Sequence, residues 1–148
     1  LNALLRRIET FQGISLAATN RQDFLDPALW RRFGMQISVN LPGHDERFAI
    51  IRRYAAPFIL GDDETDEIVI ATAGASPALL RALMEGIKRS IVVGPRVGRN
   101  ADDARSVIAA VVAACAPAPE YEPPPLWANP RALDAVCAAL TWPLRRYG

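Results

Sequence analysis

Residues 13–20 read Gly-Ile-Ser-Leu-Ala-Ala-Thr-Asn, and residues 25–33 read Leu-Asp-Pro-Ala-Leu-Trp-Arg-Arg-Phe. Ile14 to Thr19 is short, apolar and uncharged, the composition of a strand buried on both faces. Asn20 stands where such a strand ends, the edge at which parallel α/β sheets present polar groups to a ligand. An asparagine in that place also closes an Asx-turn. Asp26 followed by Pro27 combines an N-cap with a proline in the first turn, so a short helix opens there and carries Trp30, Arg31 and Arg32.

Upstream of this stretch, Leu1, Leu4, Leu5, Ile8 and Phe11 recur at helical spacing, with Arg6, Arg7 and Glu9 on the other face. Gly13 stops that helix. Downstream, Met35, Ile37 and Val39 alternate with Gln36, Ser38 and Asn40, which predicts a second strand ending at Leu41-Pro42-Gly43. From His44 the pattern turns helical. Phe48, Ile51 and Ala55 form an apolar stripe, with Arg47, Arg52 and Arg53 expected outside it. A further helix is expected from about Glu64 to Ala73. Ser76-Pro77 opens another, running towards Val93, by the same cap-plus-proline device. Gly94 to Gly98 is a turn, and Asn100 is expected to cap a helix rich in Ala and Val. Ala116 to Pro125 reads as a proline-rich, acidic linker. A last helix begins at Asn129-Pro130 and fades before Trp142-Pro143. Two strands and one covering helix do not close a core, so residues 1–42 are expected to be a piece of a larger α/β domain.

The chain has 148 residues, 51% hydrophobic and 22% charged, enough for one compact domain or pieces of two. Lys plus Arg total 17 against 16 for Asp plus Glu, and a net charge of +1 argues against a strongly basic grip on nucleic acid. Cys115 and Cys137 have no close Cys or His partner in sequence, so neither a disulfide scaffold nor a metal site is expected. The longest uncharged run, Ser106 to Pro119, is shorter than the ~20 apolar residues of a membrane span, and no signal peptide pattern is visible. The cytoplasm is the expected compartment and no membrane partner is expected. His44, the single histidine, lies in a loop without a nucleophile or metal partner by spacing. Arg96, Arg99 and Arg105 read as surface.

A phosphate-binding Walker A loop needs Gly-x-x-x-x-Gly-Lys-Ser/Thr, and the only lysine, Lys88, lies between Ile87 and Arg89. Phe58 to Glu64 imitates the apolar strand and carboxylates of a Walker B motif. It falls between two helices, however, and its acids favour the macrodipole of a helix start.

The order Leu4-Leu5-x-x-Ile8-Glu9-x-Phe11-x-Gly13-Ile14-x-Leu16-x-Ala18-Thr19-Asn20, followed by Leu25-Asp26-Pro27-Ala28-Leu29-x-Arg31-Arg32-Phe33, resembles the second half of the ATPase core of AAA-type ATPases. The resemblance runs from Leu1 to about Val93. It implies an α/β fragment of a P-loop NTPase core followed by an all-α lid, mainly α overall. The boundaries expected are residues 1–42 for the core fragment, 43–115 for the lid, 116–128 for the linker and 129–148 for a terminal helix and tail.

By the same resemblance, Asn20 is the sensor-1 residue, orienting water against a terminal phosphate. Arg31 and Arg32 take the place of arginine fingers, which stabilise phosphoryl-transfer charge in a neighbouring subunit. Tyr54 falls near the adenine base, although helix-face tyrosines also serve as plain packing. Gly74, Ala75 and Ser76 form the turn beside the nucleotide. Many relatives of the wider family carry a sensor-2 arginine where this chain has Ser76; Arg81, one turn later, is the one candidate substitute, although a solvated helix face is the simpler reading.

The implied activity is ATP hydrolysis with Mg²⁺, the ATP and metal held mainly by Walker motifs expected upstream of Leu1. The 148 residues alone are expected to be inactive. A homo-oligomeric ring, commonly a hexamer, acting on a macromolecular substrate such as a protein is implied as well. The alternative is a non-catalytic helical adaptor derived from such a protein. A DNA-dependent relative is disfavoured by the near-neutral charge. Residues 94–148 match no functional motif.

Overall fold

The computed structural model describes residues 2–147; Leu1, the first residue of the apolar stripe expected in the N-terminal helix, lies outside them. The elements are α1 (Asn2–Thr10), α2 (Pro27–Trp30), α3 (His44–Ala55), β1 (Phe58–Ile59), α4 (Asp62–Ala71), α5 (Pro77–Val93), α6 (Ala104–Ala114), α7 (Pro125–Ala128), α8 (Pro130–Ala139) and β2 (Arg145–Arg146). Each cap-plus-proline signal starts a helix. Asp26 accepts the Ala28 N–H at 2.7 Å, Ser76 Oγ accepts that of Leu79 at 3.2 Å, and Asn129 Oδ1 accepts that of Arg131 at 3.0 Å. The cap of α6 is Asp103 and not Asn100. The Asp103 carboxylate accepts the Ser106 N–H at 2.8 Å, whereas Asn100 closes an Asx-turn onto the Asp102 N–H at 2.7 Å.

The chain divides into two compact units, Leu1–Val39 and Asn40–Gly148. In the first, an ion pair between Glu9 and Arg32 ties α1 to the turn after α2. Residues 14–19 and 35–40 were expected as strands and are not strands. Ile14, Leu16 and Val39 are 89%, 94% and 91% exposed. An extended segment becomes a strand only when neighbouring backbone takes up its N–H and C=O groups, and no described residue pairs with either segment. The sheet expected for residues 1–42 is therefore not formed among the described residues, and the described chain is mainly helical.

The second unit closes its own core. α3 packs against α4 and α5, α5 against α6, and α8 against α4 and α6. Ile51, Val69, Leu80, Leu83, Met84, Ile108 and Val136 are fully buried between them. Gly86 lets α5 approach α6 closely, since a Cβ there would stand 2.6 Å from Val111 Cγ1. The residues after α6 belong to the same core. Leu126 on α7 and Leu144 are buried, the Trp127 indole donates to the Cys115 carbonyl at 2.5 Å, and that of Trp142 donates to the Ala101 carbonyl at 2.9 Å. β2 pairs antiparallel with β1, Phe58 opposite Arg146 and Ile59 opposite Arg145, and the Tyr147 N–H continues the pairing onto the Pro57 carbonyl at 3.0 Å.

Arg47 departs from the expected amphipathic reading. It is only 9% exposed, on the same row as buried Ile51 and Ala55. Its guanidinium donates to the Pro42 carbonyl at 2.8 Å and the Val69 carbonyl at 3.4 Å, joining the loop before α3 to α4.

Candidate functional site

The end of α4 and the start of α5 are fixed by short-range hydrogen bonds. The buried Thr72 hydroxyl donates to the Ile68 carbonyl at 2.7 Å and ends α4. Gly74 then turns the chain with φ of +81°, a left-handed conformation open to glycine at no steric cost. The Ala75 N–H donates to the Thr72 carbonyl at 3.0 Å and its side chain is buried. Ser76 spends its hydroxyl on the α5 cap. Gly74, Ala75 and Ser76 therefore form one rigid turn at a helix N-terminus, with free space around the Gly74 Cα.

Tyr54 lies on α3, partly buried against the core, and α3 packs along α5. Against Tyr54 lies Arg81, on α5 a little more than one turn after Ser76. Its guanidinium carbon stands 5.6 Å from the centre of the Tyr54 ring, and its Nε donates to Glu85 Oε1 at 2.9 Å. The Glu85 hydrogen bond and charge, with a contribution from Tyr54, raise the Arg81 pKa above its ordinary value. Arg81 is exposed, as its sequence reading had it, but it is engaged with Tyr54. The signal for its Glu85 partner was present in the i,i+4 spacing.

In the first unit, Asn20 is exposed in a bend, where the Thr19 hydroxyl accepts the Arg21 N–H at 3.0 Å. Arg31 ends α2, and Arg32 is held by Glu9. Both arginines are exposed.

The carboxylates of the Walker-B-like stretch have structural work. Asp62 accepts from Arg52 Nη1 at 2.6 Å. Glu64 accepts the Gly61 N–H through Oε2 and the Thr141 N–H through Oε1, both at 2.6 Å. Burial raises its pKa, but those two N–H groups, the Thr141 side chain and Arg145 outweigh it and hold the carboxyl below its ordinary 4.5. Glu64 caps α4 and joins it to the C-terminal segment, and Asp62 ties the start of α4 to α3. His44 is exposed, 3.4 Å from Asp45 and 3.7 Å from Asp66. No group of three potential metal ligands occurs among the described residues. The cysteines are free thiols, and burial raises that of Cys137.

These features define a helical domain in which Arg81 on α5 meets Tyr54 on α3, and a tight turn opens α5. By sequence, the chain is similar to ATP-dependent zinc metalloproteases named FtsH. It is 40% identical to that of Hahella chejuensis over 91 residues, 57% of this chain and 15% of the relative. It is 39% identical to that of Acidothermus cellulolyticus over 107 residues, 68% of this chain and 16% of the relative. It is 36% identical to that of Caldicellulosiruptor bescii over 122 residues, 76% of this chain and 19% of the relative. The chain thus spans less than a fifth of the length of these relatives. No family model matches the chain, and no solved structure matches it significantly.

Among the described residues there is no ligand set for the zinc in the relatives' name. A helical H-E-x-x-H site needs two histidines one turn apart, and the chain contains a single histidine. The residues present do not fit zinc.

Proposed function

We propose that this chain is the C-terminal part of the ATPase core, with its lid, of an AAA-type ATPase. The similarity to ATP-dependent metalloproteases, about 40% identity over 91 residues, carries the reading. The tight Gly74–Ser76 turn that opens α5, and Tyr54 on the α3 that packs against α5, support it. In this reading Tyr54 receives the adenine base and the Gly74-Ala75-Ser76 turn lies beside the nucleotide. Asn20 orients the attacking water. Arg31 and Arg32 reach the nucleotide of the adjoining subunit in a homo-oligomeric ring, commonly a hexamer. ATP and Mg²⁺ are held mainly by Walker motifs outside these residues. Hydrolysis drives remodelling of a protein substrate in the cytoplasm, and the 148 residues alone do not turn over ATP.

The test is made in a polypeptide that joins this chain to a Walker A and Walker B segment. Arg32→Ala is expected to abolish turnover and leave ATP affinity largely intact; wild-type turnover in an intact ring removes Arg32 from the site. Asn20→Ala is expected to lower the hydrolysis rate more than the affinity, and an unchanged rate removes Asn20.

One observation favours a second reading, that of a non-catalytic adaptor: residues 40–148 close a core of their own. Stable oligomerisation of the chain without nucleotide supports that reading.

A further inference from the structure

One face of the Tyr54 ring is already covered. The Arg81 guanidinium stands 5.6 Å from the ring centre, inside the ~6 Å reach of a cation–π contact. A stacked base needs that same space, since planar groups meet at about 3.5 Å. Arg81 is held there by a second contact, its Nε–H to Glu85 Oε1 at 2.9 Å, one turn along α5. The i,i+4 spacing lets Glu85 fix the guanidinium without bending the helix.

We propose that Arg81 is a gate on the base-binding face of Tyr54: a base enters only when Arg81 leaves the ring, and Glu85 sets how readily it leaves. The proposal rests on the reading of Tyr54 as a base-stacking residue. The Arg81–Glu85 pair is solvent-accessible, so the gate tunes affinity and does not abolish it. Removing a contact of this strength changes binding by about two- to five-fold.

The probe is adenosine, which offers a base without phosphates that would be drawn to arginines elsewhere. Its binding to the 148-residue chain is followed through the Tyr54 ring resonances by NMR. Arg81→Ala is expected to tighten adenosine binding about two- to five-fold, and Glu85→Gln to tighten it by less. In a Tyr54→Ala background, where the effect is followed by the adenosine resonances, Arg81→Ala is expected to change nothing. If wild type binds adenosine at Tyr54 and Arg81→Ala binds no tighter, or weaker, the gate is overturned and the Tyr54 reading stands. If neither protein binds adenosine, or Tyr54→Ala binds as well as wild type, both fall. Urea midpoints of the variants equal to wild type show that the change lies in the site and not in the fold.

Discussion

Gly86→Ala sets two effects of opposite sign against each other in the middle of α5. In an exposed helix interior the change gains about 1 kcal/mol, because glycine loses more backbone freedom than alanine on folding. Here the new Cβ would meet Val111 Cγ1 at 2.6 Å, with Val111 Cγ2 at 3.5 Å. Carbon atoms in contact prefer about 3.5–4.0 Å, so roughly 1 Å must be found. Val111 cannot give it cheaply. It is buried on α6, and a β-branched side chain in a helix is confined to essentially one χ1 rotamer. The helices must then part, or Val111 must leave its rotamer, and overpacking of this kind costs about 1–3 kcal/mol. The net expectation is destabilisation by about 1 kcal/mol, read as a lower urea midpoint with an unchanged slope. A double-mutant cycle isolates the contact. In a Val111→Ala background the obstructing methyl groups are gone, so Gly86→Ala is expected to stabilise by about 1 kcal/mol and leave a coupling of about 2 kcal/mol. Stabilisation by Gly86→Ala in the wild-type background refutes the reasoning, because it means the α5–α6 approach is not limited at Gly86.

Glu64→Gln is expected to weaken the hold of the C-terminal segment on α4, seen as faster hydrogen exchange at Thr141 and Tyr147, since a neutral amide accepts less strongly than a carboxylate. Because the folded-state pKa of Glu64 is depressed, its contribution is complete above the ordinary value of 4.5 and is lost as pH falls through the lower folded value. The Gln variant should therefore show a flatter decline in urea stability below that pH, and an unchanged slope counts against the assignment. Arg47→Ala is expected to cost about 2–4 kcal/mol, from two lost charge-assisted hydrogen bonds and a lost apolar stem. Arg47→Met should recover the part that belongs to the stem. A urea midpoint within error of wild type for Arg47→Ala excludes the guanidinium as the tie between Pro42 and Val69.

What the sequence disclosed and what it hid follow one physical division. The starts of α2, α5 and α8 were legible because a cap and a proline act within three residues, and nothing distant has to agree. Ile14 to Thr19 and Met35 to Asn40 carry a strand pattern, but a strand is a property of a pair, and the described residues supply no partner. Asn100 and Asp103 offer the same kind of cap three residues apart. The sequence reading placed the cap at Asn100, and the structure gives it to Asp103, whose carboxylate takes both the N–H and the hydroxyl of Ser106. Arg47 was misplaced because charge was weighed above position. It sits on the row of Ile51 and Ala55, and a long side chain can bury its stem there when carbonyls receive its head. The C-terminal segment was the least legible, since Glu64 to Thr141, Trp142 to Ala101 and β1 to β2 are contacts across long separations that no local pattern records. The candidate site divides in the same way. The Gly74–Ser76 turn was readable because it is local, and the Arg81 guanidinium over Tyr54 was not, because α3 and α5 had first to be packed side by side.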